Sequence, residues 1–350
     1  MLNQANISQG VQNLLFNCAE LEAGDKLLLV LERARFGWYR EEVVKVVAKT
    51  ASSFGITPKI LEVNAPENQS LEEVESIISE YDCTIFFARI GDQNRFEKHK
   101  IKAKRVMCYA RSVEALGSLF GTINHKAMLE LKETINSLFL NSKNIEVKCP
   151  LGTNLSGKML NSSYYTFRDV TVYRFPMLVP MPILASSFSG NVIISKYLTS
   201  TGSQAYQPNS LKLSNLLTVK ILKGRIDEVV GSNNDVKNFK KHYEFVSKKF
   251  GLDKENVHSW HAGIHPGTKH DKSIDLNPDQ WSNTIFGSPR YLHFHTCGIV
   301  PPGEICWMIQ DPTIKLDSKV LWNKGALILK QFEATRQCLK KWPELNQLFR

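Results

Sequence analysis

The class of fold is decided by KLLLVLE at Lys26–Glu32 and by EEVVKVVAKTASSFG at Glu41–Gly55. The first segment is a short, continuous apolar run after the turn residues Gly24 and Asp25, which is typical of a strand covered on both faces. The second has acidic residues in its first turn, apolar residues at helical spacing and a terminal glycine, which predicts an amphipathic helix. Together they predict one strand–helix unit of an α/β sheet.

The same alternation continues to about residue 149. Buried strands are predicted at TPKILEV, CTIFFARI, RVMCYA and IEVKCP, and helices at LEEVESIISEY and MLELKETINSLFL. Strands that alternate with helices predict right-handed crossovers and a largely parallel sheet. No GxGxxG or GxxxxGK[ST] motif follows any of these strands, so a nucleotide site of the usual kinds is not expected. We predict an α/β domain over residues 1–149.

From residue 150 the pattern changes to strands. YYTFRDVTVYRF, NVIISKYL and LTVKILKGRIDEVVG are strand-like, and the last predicts a hairpin that turns at Lys223–Gly224. One helix is predicted over Asp235–Gly251, with the aspartate as its cap and the glycine as its end. We therefore predict an α+β domain over residues 150–350, with a mainly antiparallel sheet.

Composition narrows the class of protein. With 43% hydrophobic and 22% charged residues, the chain of 350 residues can bury a full core. It has no apolar run long enough to span a membrane, and its N-terminus does not resemble a signal peptide. Its seven cysteines are scattered and form no CxxC, which favours reduced thiols and a cytoplasmic location.

The net charge of +10 raises the question of a nucleic-acid partner. The densest basic run is Lys98, Lys100, Lys102, Lys104 and Arg105. Alternating positions could form a stripe that contacts phosphates, but no aromatic interleaving or known motif accompanies it. We interpret the run as a solvated loop and do not expect a nucleic-acid partner.

The histidines are concentrated in one part of the second domain. Six of the nine lie in HSWHAGIHPGTKH and YLHFHTCG, namely His258, His261, His265, His270, His293 and His295. Histidine is the commonest metal ligand in proteins, so this cluster is the first candidate for a site. Histidines in strands are also often satisfied within a core, and a pairing of Cys297 or Cys306 with a nearby histidine as nucleophile rests on proximity in sequence alone.

Several segments, taken in order, resemble the metal-dependent aminopeptidases of the aminopeptidase T type and their relative 2,5-dihydroxypyridine 5,6-dioxygenase. These segments are VKCPLGTNL, RFPMLVPMPILAS, GNVIISKYL, KGRIDEVVG and EICWMIQDPTIKLDS. The resemblance covers about residues 24–325. It implies an α/β domain followed by a metal-binding domain, with dimers that close the site.

The metal ligands that this resemblance implies are incomplete. A family glutamate has no counterpart in PMPILAS, and the family H-x-D pair falls on Glu304 and Cys306. One further ligand falls on His261, with His265 as the alternative, and a last one near His293 or His295. A mononuclear site of His261, His293 or His295, and Glu304 is one hypothesis, with iron(II) or zinc as its metal. Cys306 beside Glu304 would favour zinc.

We therefore predict a non-catalytic protein with a degenerate metal site, a pseudoenzyme that needs no cofactor. It would bind a peptide or a small acidic or aromatic ligand in a cleft between the two domains, as an accessory protein in a peptide-modifying or natural-product pathway. The ligand-binding residues would be Trp260, His261, His265, His293, His295 and Trp307. The alternative is a mononuclear metal enzyme, either a ring-cleaving dioxygenase or a hydrolase, with Glu304 and Cys306 as catalytic candidates. We also expect a homodimer, or a dimer with a homologous chain.

Overall fold

A computed structural model describes residues 3–93, 95, 103–160, 171–176, 178–200, 206–270, 272–298 and 303–349. The described residues form two compact units. Unit 1 comprises those within Met1–Leu129 and Phe167–Leu178, and unit 2 comprises those within Glu130–Thr166 and Val179–Arg350. None of the described helices is both long enough and apolar enough to cross a membrane.

Unit 1 is built on one parallel sheet of five strands, in the order β2-β1-β3-β4-β7. The strands are β1 (Lys26–Glu32), β2 (Thr57–Val63), β3 (Cys83–Phe87), β4 (Lys104–Cys108) and β7 (Tyr173–Phe175). The helices are α1 (Gln4–Gln12), α2 (Glu41–Ser53), α3 (Leu71–Ile78), α4 (Ile90–Gln93), α5 (Val113–Leu116) and α6 (Leu119–Thr122). β1 is buried on both faces from its second residue onward, as its apolar run predicts. The prediction of an α/β domain with a parallel sheet is confirmed.

One strand of this sheet comes from far along the chain. β7 pairs in parallel with β4, although YYTFRDVTVYRF was grouped with the strands of the second domain. Residues 164–170 of that segment lie outside the described residues. Local periodicity predicts that a strand forms and carries no information about a partner 65 or more positions away, so the pairing could not be foreseen.

Unit 2 holds two antiparallel sheets. An eight-stranded sheet has the order β13-β12-β9-β6-β5-β17-β18-β19, and a six-stranded sheet has the order β11-β10-β16-β15-β14-β8. The strands of the first are β5 (Asn144–Lys148), β6 (Asn154–Lys158), β9 (Ser189–Ile194), β12 (Leu217–Leu222), β13 (Arg225–Val230), β17 (Thr313–Leu316), β18 (Lys319–Asn323) and β19 (Ala326–Leu327). Those of the second are β8 (Ile183–Leu184), β10 (Tyr197–Thr199), β11 (Ser210–Lys212), β14 (Val257–Ala262), β15 (Tyr291–Cys297) and β16 (Glu304–Gln310). The predicted α+β domain with antiparallel sheets is confirmed.

The remaining helices are α7 (His125–Leu140), α8 (Asn233–Phe250), α9 (Pro278–Ile285) and α10 (Glu333–Lys341). The predicted hairpin joins β12 to β13, with both Lys223 and Gly224 at positive φ. α8 is the helix predicted over Asp235–Gly251, but its cap is Ser232, whose side chain accepts from the Asp235 backbone N–H. Serine and aspartate can both cap a helix through a side-chain oxygen, so the sequence contained two possible caps, three positions apart.

Candidate metal centre

The candidate site lies on one face of the six-stranded sheet of unit 2. In the register of its central strands, His261 of β14 stands opposite His293 of β15, and His295 stands two residues further along β15. Because side chains alternate between the two faces of a sheet, these three histidines point the same way. We call them the histidine triad.

The opposite face of the same strands is aromatic. Trp260 is fully buried and its ring contacts Phe139 and Phe188 at centroid distances of 6.0 and 5.6 Å. Trp307 is also fully buried and donates from Nε1 to the Tyr243 hydroxyl at 2.7 Å. Trp260 and Trp307 therefore pack in the core of unit 2, on the face that points away from the triad.

The ring nitrogens of the triad converge on one point. One ligand nitrogen from each of His261, His293 and His295 lies within 4.8 Å of the other two. The closest pair is His261 Nε2 and His295 Nε2, at 2.9 Å. His293 is 1% exposed and the other two are half-buried, so the point is largely shielded from water.

Two of these rings are fixed by partners on their outer nitrogens. His261 Nδ1 lies 3.1 Å from the backbone carbonyl of Pro180, and His295 Nδ1 lies 2.7 Å from Glu304 Oε1. A carbonyl and a carboxylate only accept, so each Nδ1 carries the proton and, in the neutral ring, each Nε2 carries a lone pair. Two lone pairs that face each other at 2.9 Å repel unless a cation, a proton or a metal ion, lies between them.

The third ring is held by stacking. Phe286, which follows α9, lies against His293 with a centroid distance of 4.3 Å and an interplanar angle of 26°. An aromatic ring on one side restricts rotation of the imidazole. Each histidine of the triad is thus positioned by a different group: a carbonyl, a carboxylate or an aromatic ring.

Glu304 and Cys306 lie on β16 beside His295. Cys306 stands directly opposite His295 in the strand register, with its Sγ 3.9 Å from His295 Nδ1. Glu304 is 3% exposed and contacts the same nitrogen. Both therefore approach the side of His295 that faces away from His261, and Glu304 stands one shell outside the point where the three histidines meet.

The other clustered histidines lie outside the triad. His265 is fully buried in the loop after β14, where its Nδ1 accepts from the Gly267 backbone N–H at 3.1 Å. Burial and the nearby His295 lower the pKa of His258, whose Nδ1 bonds its neighbour Ser259. His270 is half-buried and bonds within its own turn to Lys272.

Two groups at the centre, Pro180 and Phe286, were not predicted from the sequence. Pro180 acts through its backbone carbonyl, which leaves no mark on the residue type. It lies in the VPMPILAS segment, where the family resemblance pointed only to a missing glutamate. Phe286 follows an amphipathic helix, and an aromatic residue there is most simply interpreted as core.

The two residues of the basic run that the structure describes both form ion pairs. Lys104 pairs with Glu20, and Arg105 pairs with Glu75. Lys98, Lys100 and Lys102 lie outside the described residues. Two of the five positive charges are thus engaged in ion pairs.

Comparison with known proteins places the fold. No protein-family model and no curated protein sequence matches the chain. Among solved structures, 2,5-dihydroxypyridine dioxygenase from Pseudomonas putida KT2440 matches with a TM-score of 0.62 at 11% identity, over 96% of this chain and 100% of that one. Wild-type AmpT from Thermus thermophilus matches with a TM-score of 0.54 at 10% identity, over 93% and 99%. The chain shares the fold of these two proteins. The distant relationship expected from the sequence is confirmed at the level of the fold.

Proposed function

We propose that this protein is a mononuclear metal-dependent enzyme whose metal ion is held by His261, His293 and His295. The observation that carries the proposal is the convergence of the three imidazoles within 4.8 Å. From the sequence a metal-free binding protein was predicted, because the resemblance leaves one family glutamate without a counterpart and places two further ligand positions at Glu304 and Cys306. The histidine triad instead favours the alternative prediction, a mononuclear metal enzyme.

The donor set fits a first-row transition metal. Neutral imidazoles suit iron(II), zinc and copper, whereas carboxylate and carbonyl oxygens suit magnesium and calcium. With metal–nitrogen bonds of about 2.1 Å, two ligands at right angles stand roughly 3.0 Å apart, and two at the tetrahedral angle roughly 3.4 Å. The observed 2.9 Å between His261 Nε2 and His295 Nε2 is close to these spacings, so the two nitrogens could bind one ion of this kind.

The proposed reaction is the oxygenation of an aromatic substrate. Three ligands on one face would leave coordination positions open, and an iron(II) ion held there would supply a Lewis acid that also reacts with dioxygen. Because the triad adds no negative charge of its own, the site favours an anionic substrate group, such as a phenolate or a carboxylate. The similarity in fold to a 2,5-dihydroxypyridine dioxygenase supports a hydroxylated aromatic ring as the substrate class.

A hydrolase is the second candidate. Three histidines with one open position are also the ligand set of zinc enzymes that activate water. A dinuclear peptidase is not proposed, since its two ions need several carboxylates and the triad contains none. A peptide ligand and a dimer stay predictions.

The first test is metal content after anaerobic reconstitution with iron(II), cobalt(II) or zinc, followed by dialysis. We expect about one ion per chain in the wild type, and at least a tenfold loss in His261→Ala, His293→Ala and His295→Ala. His270→Ala is the matched control and should keep the ion. Full metal content in the three triad variants would contradict the proposal.

The second test separates the two reactions. Iron-loaded protein should consume dioxygen with one member of a panel of hydroxylated aromatic compounds, and His261→Ala should not. If only the zinc-loaded form acts, and on esters or peptides, the hydrolase is correct.

A further inference from the structure

Glu304 is the charged group that lies directly behind the triad. It is 3% exposed on β16, where it pairs with Cys297 in the strand register and reaches diagonally across to His295. Its Oε1 is 2.7 Å from His295 Nδ1, a length typical of a charge-assisted hydrogen bond. A buried carboxylate is costly to hold unless it is well paired, so this contact is part of the site's construction.

The contact determines which nitrogen of His295 faces inward. With the Nδ1 proton donated to Glu304, Nε2 presents its lone pair toward His261. With the opposite tautomer, a proton would occupy the position needed by a metal. Cys306 Sγ, at 3.9 Å from the same Nδ1, is a weak acceptor and does not substitute for the carboxylate.

We propose that Glu304 is a positioning residue. It holds His295 as the Nδ1–H tautomer, and it supplies from one shell outside the metal the negative charge that a third histidine lacks. In the usual two-histidine, one-carboxylate triad the carboxylate binds the ion itself. Here His295 would lie between a bound ion and the carboxylate. The second statement rests on the proposed function, whereas the first concerns the protein without metal.

The first experiment uses the metal-free protein. Histidine side chains labelled with ¹⁵N are observed by long-range ¹H–¹⁵N correlation at pH 8.5, where ordinary imidazoles are neutral, and the His295 signals are assigned with His295→Gln. We expect His295 Nδ1 to carry a proton in the wild type and in Glu304→Gln, whose amide oxygen still accepts, whether or not a second proton lies between the two Nε2 atoms. Glu304→Ala should shift His295 toward the Nε2–H tautomer. An Nε2–H tautomer in the wild type, or an unchanged tautomer in Glu304→Ala, would overturn the proposal.

The second experiment measures the dissociation constant of cobalt(II). We expect Glu304→Ala to weaken binding by about 10- to 100-fold, as is typical for groups that orient a ligand. Glu304→Gln should fall between the two, because it keeps the orientation and loses the charge. Glu228→Ala, which removes an exposed carboxylate on β13 of the same unit, is the control and should bind as the wild type does.

The outcomes are distinguishable. A wild-type dissociation constant in Glu304→Ala would overturn the role in metal binding. A loss as large as that in His295→Ala, with a changed cobalt absorption spectrum, would make Glu304 a direct ligand and overturn the outer-shell assignment. If the wild type binds no cobalt(II), the proposed function fails, and the tautomer alone then decides whether Glu304 positions His295.

Discussion

His242 shows how burial alone sets the behaviour of one residue. It lies on α8 at 6% exposure, with its ring 6.0 Å from that of Tyr206. Its Nε2 has no hydrogen-bond partner in the part of the chain that the structure describes. Desolvation lowers the pKa of His242 to about 4, because the charged imidazolium loses its hydration without gaining a partner.

This shift makes unit 2 less stable in mild acid. Below the unfolded pKa of about 6.5 the unfolded chain takes up a proton that the folded chain does not, so stability is lost as the pH falls from 6.5 toward 4. The loss from this residue is about 2 kcal/mol at pH 5. Urea unfolding at pH 7.5 and at pH 5, followed by tryptophan fluorescence, measures this loss of stability. The signal reports mainly on unit 2, because five of the six tryptophans lie in that unit.

His242→Gln is the control for that measurement. Glutamine does not titrate, so this variant should lose about 2 kcal/mol less than the wild type between the two pH values. An equal loss in both proteins would show that His242 is not the source.

At the same scale, the choice of metal ligands was only partly accessible from sequence. His261, His293 and His295 were all named as candidates, but so were Glu304 and His265. The H-x-D spacing of the resembled family was assigned to Glu304 and Cys306, whereas the structure brings together His293 and His295, which have the same spacing. The sequence alone cannot choose between two residue pairs that have the same spacing. The choice depends on which pair lies close to a third ligand on another strand.

Among the elements, α8 ends where the sequence predicts, at Gly251. Gly251 ends the helix in the left-handed conformation, with φ 66° and ψ 41°. A Cβ at this position would meet nothing within 4 Å, so the cost of a side chain there comes from the backbone alone.

Gly251→Ala should therefore destabilise unit 2 by about 1 kcal/mol. Gly251→Asn should cost less, because asparagine tolerates the left-handed conformation better than other residues. Urea unfolding followed by tryptophan fluorescence measures both. An alanine variant as stable as the wild type would mean that α8 ends differently in solution.

Alternation along a strand predicts which of its side chains share a face of the sheet, but it does not predict which strands are neighbours. In β14 and β15 the alternation puts histidines on one side and aromatic residues on the other. The order β16-β15-β14 is long-range pairing, and it brings Glu304 to His295. Trp260 and Trp307 were predicted to bind a ligand in a cleft, but both pack in the core on the opposite face from the triad.

At the scale of the whole molecule, metal binding should stabilise unit 2 against unfolding. The triad, Pro180, Phe286 and Glu304 all belong to that unit. A ligand that binds only the folded state stabilises it by about 2.7 kcal/mol at 100 times its dissociation constant. We expect this gain in the unfolding of unit 2 on addition of cobalt(II), measured by tryptophan fluorescence.

The matched variant for this prediction is His261→Ala, which should show no gain at the same cobalt(II) concentration. A gain of equal size in His261→Ala would place the bound ion elsewhere in the molecule.

The sequence by itself determined the class of each half of the chain. Strand–helix alternation predicted the parallel sheet of unit 1, and short strands with turn residues predicted the antiparallel sheets of unit 2. Two strands lie in the other unit from the one predicted for them: β5 pairs in an antiparallel sheet of unit 2, and β7 pairs in the parallel sheet of unit 1. These are local properties, since the period of apolar residues and the residues at turns are set within about ten positions. For the same reason the hairpin at Lys223–Gly224 and the helix α8 were predicted close to where they lie.

Only the tertiary structure decided which histidines meet and what orients them. His261 and His293 are 32 positions apart in the sequence and become direct neighbours through the pairing of β14 with β15. Glu304 becomes the partner of His295 through the pairing of β15 with β16, and Pro180 contributes a backbone atom. A site of this kind depends on distances of a few ångströms between strands, and such distances are set by long-range pairing and not by the local pattern of residues.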